Sequence, residues 1–480
     1  MTTPTPIAIE ELPGTPPVLI PRNFDLEQLG YLEAEFEARG QSQSYRAVGE
    51  QPRNGQIAAE PEESAPFITR LLVRRPAAEA NFSGTVVVEW LNVSGGIDAS
   101  PHWDFLHRHI IRRGDAWVGV SAQKAGIDGG GITDGIHLKL YKPQRYGHLS
   151  HPGDAFSYDI FTQVGQALRQ SGSPLLGDLV PVRLLAAGES QSAAFLSTYV
   201  NAIDPLVQTF DGFFLLGRPG VRTDLSGTFG PRVLDDRYDV MTHCPEQIRA
   251  DVRVPVLLMS SESDVTVLRN AAIEQPDSAN VRVWELPGAS HADTYLLVAS
   301  RDDGGQLEPL EMARMLEPIT ELVITTTDNP INSAPHQHYV AQAALEHLDR
   351  WAGGGGPPPA APRLALGEGG TNCRRDELGN ALGGIRNPWV DIPLRVLSGE
   401  GQTGQGLAYL FGTTFPLGPG AISRLYPGGR DDYVSAFTAA LDQTIAAGFI
   451  LEVDREEIIA VAAETYNLVS PSEGTKEGSQ

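Results

Sequence analysis

Short apolar runs recur between residues 67 and 286, and stretches with helical spacing separate them. Residues 67–75 alternate apolar and polar positions like a half-buried strand, which Pro76 stops. Residues 84–91, 116–122, 183–188, 210–216, 254–259 and 281–286 are near-continuously apolar, the pattern of strands buried on both faces. Between them, residues 101–113 place Trp103, Leu106 and Ile110 at helical spacing and end at Gly114. Residues 154–169, the stretch after Ser190 and residues 336–351 read as further helices. Strand and helix in alternation predict an α/β fold with a mostly parallel central sheet and helices on both faces.

Other stretches are less regular. Residues 31–39 fit a strand or a helix, and the Pro- and Glu-rich residues 52–66 read as loop. Residues 124–150, rich in Gly, His, Tyr and Pro, read as a long functional loop. The glycines at 353–356 followed by prolines at 357–359 are the clearest boundary in the chain. Beyond it strand signals are few, and helices are expected near residues 431–447 and 454–467.

The candidate chemistry begins at Gly188-Glu189-Ser190-Gln191-Ser192, where an apolar run meets a helical pattern across one tight turn. A serine at such a turn takes a strained backbone conformation that lifts its hydroxyl clear of the sheet. Its flanks must be small, because strand and helix backbones pass close by. Gly188 meets that demand, and Ser192 stands where the usual G-x-S-x-G pattern has its second glycine. The plainer role for Ser190 is a helix cap. What favours chemistry is the order of the residues that follow: Glu262 and Asp264 just after the 254–259 run, and His291 just after the 281–286 run.

Ser190, Asp264, His291 is the order of the α/β-hydrolase triad. A serine hydroxyl is a poor nucleophile until a neutral imidazole takes its proton. A carboxylate on the other ring nitrogen holds the imidazole in one tautomer. Asp264 is read as that carboxylate from its distance past the strand, with Glu262 as the rival acid. The backbone N–H of Gln191 is one expected oxyanion donor, and the second is expected from Val93 or Asn92 in the loop after residue 91. Asp293 reads as a loop or cap residue, and Trp90, Trp103 and Phe213 as core before acyl-pocket wall. His148 and His151 read as residues of a solvated loop before metal ligands.

Several of these segments together resemble a family of large bacterial α/β-hydrolase-domain proteins. They are residues 88–96, 117–123, 151–154 with 157–160, 188–193, Trp284-Glu285 with His291-Ala292-Asp293, and Gly379-Asn380 with residues 383–386. The resemblance spans residues 67–470 and implies a serine hydrolase with an accessory C-terminal region, but no particular substrate. The expected organisation is an N-terminal segment with the first strands (1–66), an α/β-hydrolase catalytic domain (67–352), a Gly/Pro linker (353–363) and a C-terminal extension packed on the catalytic domain (364–480).

Composition narrows the partners. The chain of 480 residues carries a formal net charge of −24 without any Lys/Arg cluster, which argues against nucleic acid or an anionic membrane. No apolar run reaches the length of a membrane span, and the first residues lack a secretory pattern, so a cytoplasmic location is expected. The two cysteines, Cys244 and Cys373, lie outside any CxxC motif, and whether they pair is open. The expectation is therefore a serine esterase that cleaves a small-molecule carboxylic ester, lactone or thioester through an acyl-serine, with no cofactor and no metal. An acyltransferase with the same triad, a catalytically silent hydrolase fold used for binding, and a metal-dependent hydrolase built on His148 and His151 are the alternatives. Oligomeric state is not legible.

Overall fold

The computed structural model describes residues 7–16, 21–130, 135–228, 246–322 and 325–470. Nine strands form one sheet: β1 (Ala8–Glu11), β2 (Tyr31–Val48), β3 (Ala58–Pro76), β4 (Thr85–Trp90), β5 (Ala116–Val120), β6 (Arg183–Glu189), β7 (Gly212–Leu216), β8 (Val256–Ser261) and β9 (Val281–Leu286). Their order is β1-β2-β3-β5-β4-β6-β7-β8-β9. The first three strands and the β3–β5 pair run antiparallel, whereas β5–β4, β4–β6, β6–β7 and β7–β8 are parallel. Every residue of β4, β5, β7 and β8 is buried, which is why those runs are largely apolar.

Helices lie between β4 and β5, between β5 and β6, and between β6 and β7. The helix Pro101–Arg113, between β4 and β5, opens on a proline, whose missing N–H would have had no partner there. It ends at Gly114, with φ 76°, where a Cβ would lie 1.8 Å from the Asn81 carbonyl oxygen, so only glycine fits. Helix Ser157–Leu168 precedes β6 and helix Gln191–Thr198 leaves it. Between sheet and helices the Trp90 ring lies 5.0 Å from Phe161 and 5.1 Å from Phe195. Trp90, Trp103 and Phe213 are all buried core residues.

The sheet extends further than the sequence pattern indicates. Residues 31–39 are strand, and residues 58–66, expected as loop, form the first half of β3. They pair with β2 from Val48↔Ala58 to Gln41↔Pro66, while β5 meets only Leu71 to Arg74 on the other side. On that open side the missing N–H of Pro61 and Pro66 breaks no ladder, so a polar, Pro-containing segment is tolerated as strand. The hairpin tip is held where Gln247 N–H donates to the Arg53 carbonyl at 2.8 Å. A Cβ on Gly55 would meet the Gln247 carbonyl oxygen at 2.2 Å. Among the described residues of the 124–150 stretch are three short helices, Lys124–Asp128, Leu138–Tyr141 and Pro143–Tyr146.

The chain divides into two compact units. One comprises Met1–Met259, Leu268–Val283 and Leu345–Pro358; the other comprises Ser260–Val267, Trp284–Ala344 and Pro359–Gln480. Within the second, β10 (Arg395–Ser398) pairs antiparallel with β11 (Thr413–Pro416). Helix Arg455–Val469 packs against Pro309–Met315 and against Arg430–Ala446. The Trp389 ring stands edge-on to Phe437 at 5.3 Å. Cys373 is a buried free thiol, and Cys244 lies outside the described residues. No helix among the described residues is long and apolar enough to cross a membrane.

Residues after the Gly/Pro run thus complete the same unit as residues 284–344. Ending the chain at Gly356 is expected to give insoluble protein, or soluble protein with Tm lowered by about 10 °C or more. Expression and thermal melting of both lengths measure this; a soluble shortened chain with unchanged Tm would contradict it.

Candidate active site

Strand β6 passes into helix Gln191–Thr198 through Ser190, which has φ 58° and ψ −119°. The other described non-glycine residues with positive φ, Gln208, Arg269 and Glu274, sit in the ordinary left-handed region; Ser190 does not. Its N–H donates to the Leu216 carbonyl on β7 at 2.9 Å, and its carbonyl accepts from Ala194 N–H at 3.1 Å. A Cβ on Gly188 would lie 2.8 Å from Leu196 Cδ1 and 2.9 Å from the Ser192 carbonyl oxygen, so this position requires glycine. Ser192 is fully buried, and its hydroxyl donates to the Leu91 carbonyl at 3.2 Å, which accounts for a serine where the usual pattern has glycine.

The loop after β4 corrects one expectation. Asn92 N–H donates to the Ala99 carbonyl at 2.8 Å, so its backbone is not available as an oxyanion donor. Its side chain is engaged as well. Nδ2 donates to the Glu189 carbonyl at 2.9 Å and to Glu189 Oε2 at 3.0 Å, and Oδ1 accepts from Ser94 N–H at 2.8 Å. Among the described residues neither the Val93 nor the Gln191 N–H has an acceptor. Ser94 Oγ meets Gln191 Oε1 at 3.3 Å.

Beneath this loop the buried Glu89, an acid inside an apolar run, accepts from His102 and Trp103 N–H at 2.9 Å each. It also accepts from Trp117 Nε1 at 2.8 Å. Burial pushes its carboxyl up to about 8 against the pull of these donors.

The acid and the histidine both lie in the second unit. Ser261 caps the short helix Glu262–Val265 in a capping box with Asp264. Asp264 Oδ2 accepts from Ser261 N–H at 2.6 Å and from Ser261 Oγ at 2.8 Å. That leaves Oδ1 to His291 Nδ1, 2.5 Å away, with both side chains buried. A carboxylate there places the proton on Nδ1 and leaves Nε2 as the basic nitrogen. The Ser261-x-x-Asp264 pattern was a readable signal for this arrangement.

Glu262, the rival acid, turns to other partners. Its Oε1 accepts from Gly288 N–H at 2.5 Å, and its Oε2 from Gly399 N–H at 3.0 Å, with Arg375 Nη2 at 3.2 Å. Burial raises its carboxyl while Arg375 and the backbone donors pull it down. Glu262, Cys373 and Glu400 offer three possible metal-ligand atoms within 4.8 Å of one another. The positive charge at this cluster comes from Arg375, whose Nη2 is also 2.8 Å from Glu400. Burial and then the two carboxylates hold the Cys373 thiol well above its usual range, so it stays protonated.

Asp293 caps helix Thr294–Leu297, accepting from Leu296 N–H at 2.9 Å, and burial pushes its carboxyl up to about 7. His148 pairs with Glu37, whereas His151 Nε2 meets the Ala122 carbonyl at 2.8 Å and its Nδ1 accepts from Gly153 N–H. The two histidines have separate partners and do not form a ligand cluster among the described residues.

A sheet of this order with a strand–serine–helix elbow at the carboxyl end of a central strand is that of the α/β-hydrolase class. The chain belongs to the alpha/beta hydrolase domain family, whose sequence profile matches residues 1–460. No curated protein matches the sequence. Among solved structures it is similar to an esterase of Rhizomucor miehei at 12% identity, over 66% of this chain and 85% of that one, with a TM-score of 0.33. It is also similar to a lidless serine hydrolase of Xanthomonas campestris (12%, 52% and 86%, TM-score 0.28). A thermostable esterase of Pseudomonas putida is a further likeness (14%, 51% and 73%, TM-score 0.27).

Two outcomes follow from the acids. Asp264→Asn is expected to lower kcat on an ester by about 10⁴-fold with the fold intact. Glu262→Gln should lose far less kcat but lower Tm, because an amide then faces backbone N–H donors; the reverse kcat ranking would transfer the role. For Asp293, a carboxyl that titrates near 7 when folded and about 3.9 when unfolded loses its proton first in the unfolded chain. Stability therefore falls as pH rises from about 4 to about 7. Asparagine caps as well as aspartate but carries no charge. Asp293→Asn should raise Tm at pH 8 and leave it nearly unchanged at pH 4; an equal change at both pH values would contradict this.

Proposed function

We propose that the chain is a serine esterase acting on a small-molecule carboxylic ester, with Ser190 as nucleophile, His291 as base and then acid, and Asp264 as the orienting carboxylate. The observation that carries this reading is the Ser190 backbone. A capping serine has extended φ/ψ and a side-chain bond to the first helical turn; Ser190 has neither. A strain on the order of 1–3 kcal/mol is retained where it serves function. The paired Asp264 and His291 support the same reading, since a buried carboxylate on Nδ1 is what a base-competent imidazole needs.

In this mechanism His291 Nε2 takes the Ser190 proton as Oγ bonds to the ester carbonyl carbon. The carbonyl oxygen becomes an oxyanion, received by the Gln191 and Val93 N–H groups. Collapse expels the alkoxide, which takes the proton from His291 and leaves as alcohol. Water then repeats the sequence on the acyl-serine, releasing the carboxylic acid and restoring Ser190. The helix that begins at Gln191 directs its positive end toward the developing negative charge.

A fluorophosphonate probe should add one adduct per chain, at Ser190, and a panel of p-nitrophenyl esters of graded acyl length should be turned over. Ser190→Ala should abolish both with little change in Tm, and His291→Ala should slow both by about 10³-fold or more. Labelling at Ser192 or Ser94, or turnover that survives Ser190→Ala, would overturn the assignment.

A further inference from the structure

An oxyanion hole made from two stretches of chain needs both donors held to within about 0.5 Å. The Gln191 N–H is set by its covalent neighbour Ser190. The Val93 N–H sits on a separate loop, and the sheet does not hold it. The β4–β6 ladder runs from Thr85↔Arg183 to Glu89↔Ala187 and ends there, before either Asn92 or the elbow. Resting on the reading of Ser190 as nucleophile, we propose that the Asn92–Glu189 pair is a positioning clamp that sets the Val93 N–H against the elbow.

The side-chain amide of Asn92 bridges the gap the ladder leaves. Its Nδ2 donates to the carbonyl and to the carboxylate of Glu189, the residue immediately before the nucleophile. Its Oδ1 accepts from Ser94 N–H, which closes a tight turn around Val93. Its backbone exchanges two bonds with Ala99, at 2.8 and 2.9 Å, which closes the far end of the loop. Asn92 is thus engaged on both sides of Val93, while the N–H between those engagements keeps no acceptor among the described residues.

The side chain must donate and accept at once. Aspartate would set a carboxylate against Glu189, glutamine is one methylene longer, and an apolar residue makes neither bond. Glu189 is equally specific, because a buried carboxylate needs a donor. Both act as positioning residues, through the backbone they hold.

The test compares the full-length chain with Asn92→Ala, Asn92→Asp and the double variant Asn92→Asp/Glu189→Gln. Steady-state kinetics on a p-nitrophenyl ester, the fluorophosphonate labelling rate and Tm are read for each. Asn92→Ala should lower kcat by about 10²-fold, the loss of one oxyanion donor, with KM changed little and labelling slowed in parallel. Asn92→Asp should be at least as impaired. The double variant restores the side-chain bond with its polarity reversed, a glutamine amide donating to an aspartate, but not the bond to the residue 189 carbonyl. It should therefore recover about tenfold or more over Asn92→Asp and stay below the parent.

If Asn92→Ala does not fold, the comparison of Asn92→Asp with the double variant decides. An active parent whose folded Asn92→Ala form keeps kcat within about threefold overturns the clamp alone. So does a double variant no faster than Asn92→Asp at equal Tm. A parent chain that neither labels nor turns over esters overturns the nucleophile reading beneath it, and the clamp with it.

Discussion

At the candidate site Gly188 on β6 and the first turn of the helix that leaves it pass in close contact. No Cβ fits at residue 188, because the Ser192 carbonyl and Leu196 already occupy that space. Such tightness forces the chain to reverse across one residue, and that residue is Ser190, in a conformation that no other described non-glycine residue of positive φ shares. The direction of the helix, the N–H of Gln191 and the bond from Ser190 N–H to Leu216 all follow from it. Ser192 shows how narrow the tolerance is. A hydroxyl fits where the hydrogen-only side chain of glycine is usual, because the Leu91 carbonyl accepts from it.

A second constraint acts on the acid and the histidine. Glu262 and Asp264 lie two residues apart at the end of β8, and their surroundings give them different partners. Asp264 is capped back onto Ser261 with one oxygen left for His291, while Glu262 is consumed by backbone N–H groups and Arg375. The histidine loop is then tied from several sides by later chain. Asn332 Nδ2 bonds the carbonyls of both Gly288 and Ser398 at 3.0 Å, and Ala292 N–H donates to the Leu410 carbonyl at 3.3 Å.

Much of this was legible because it is local. Buried parallel strands announce themselves as apolar runs, the helix Pro101–Arg113 begins and ends on its proline and glycine, and the elbow is written within five residues. What was not legible depends on distant partners. Residues 58–66 look like loop because a half-exposed strand with one sheet neighbour needs neither apolar alternation nor a complete set of N–H groups. Asn92 stood equal to Val93 as a donor because only the fold reveals that Ala99 takes its N–H. Glu89 was hidden for the opposite reason: a single acid in an apolar run gives no hint of the three donors that converge on it.

The interleaving of the two units bears on the order in which the chain is made. The second unit draws on residues 260–267, 284–344 and everything after 358, while the first takes back 268–283 and 345–358. At a ribosome's pace, on the order of 10 s separates the emergence of His291 from that of Leu410. Through that interval the histidine loop exists without Arg375, Gly399 or the strands that follow, so its supports arrive last. An unfinished chain can therefore fold its elbow early and still lack a firmly held histidine loop. The loop that carries His291 thus has its full set of partners only once the C-terminal third has been made.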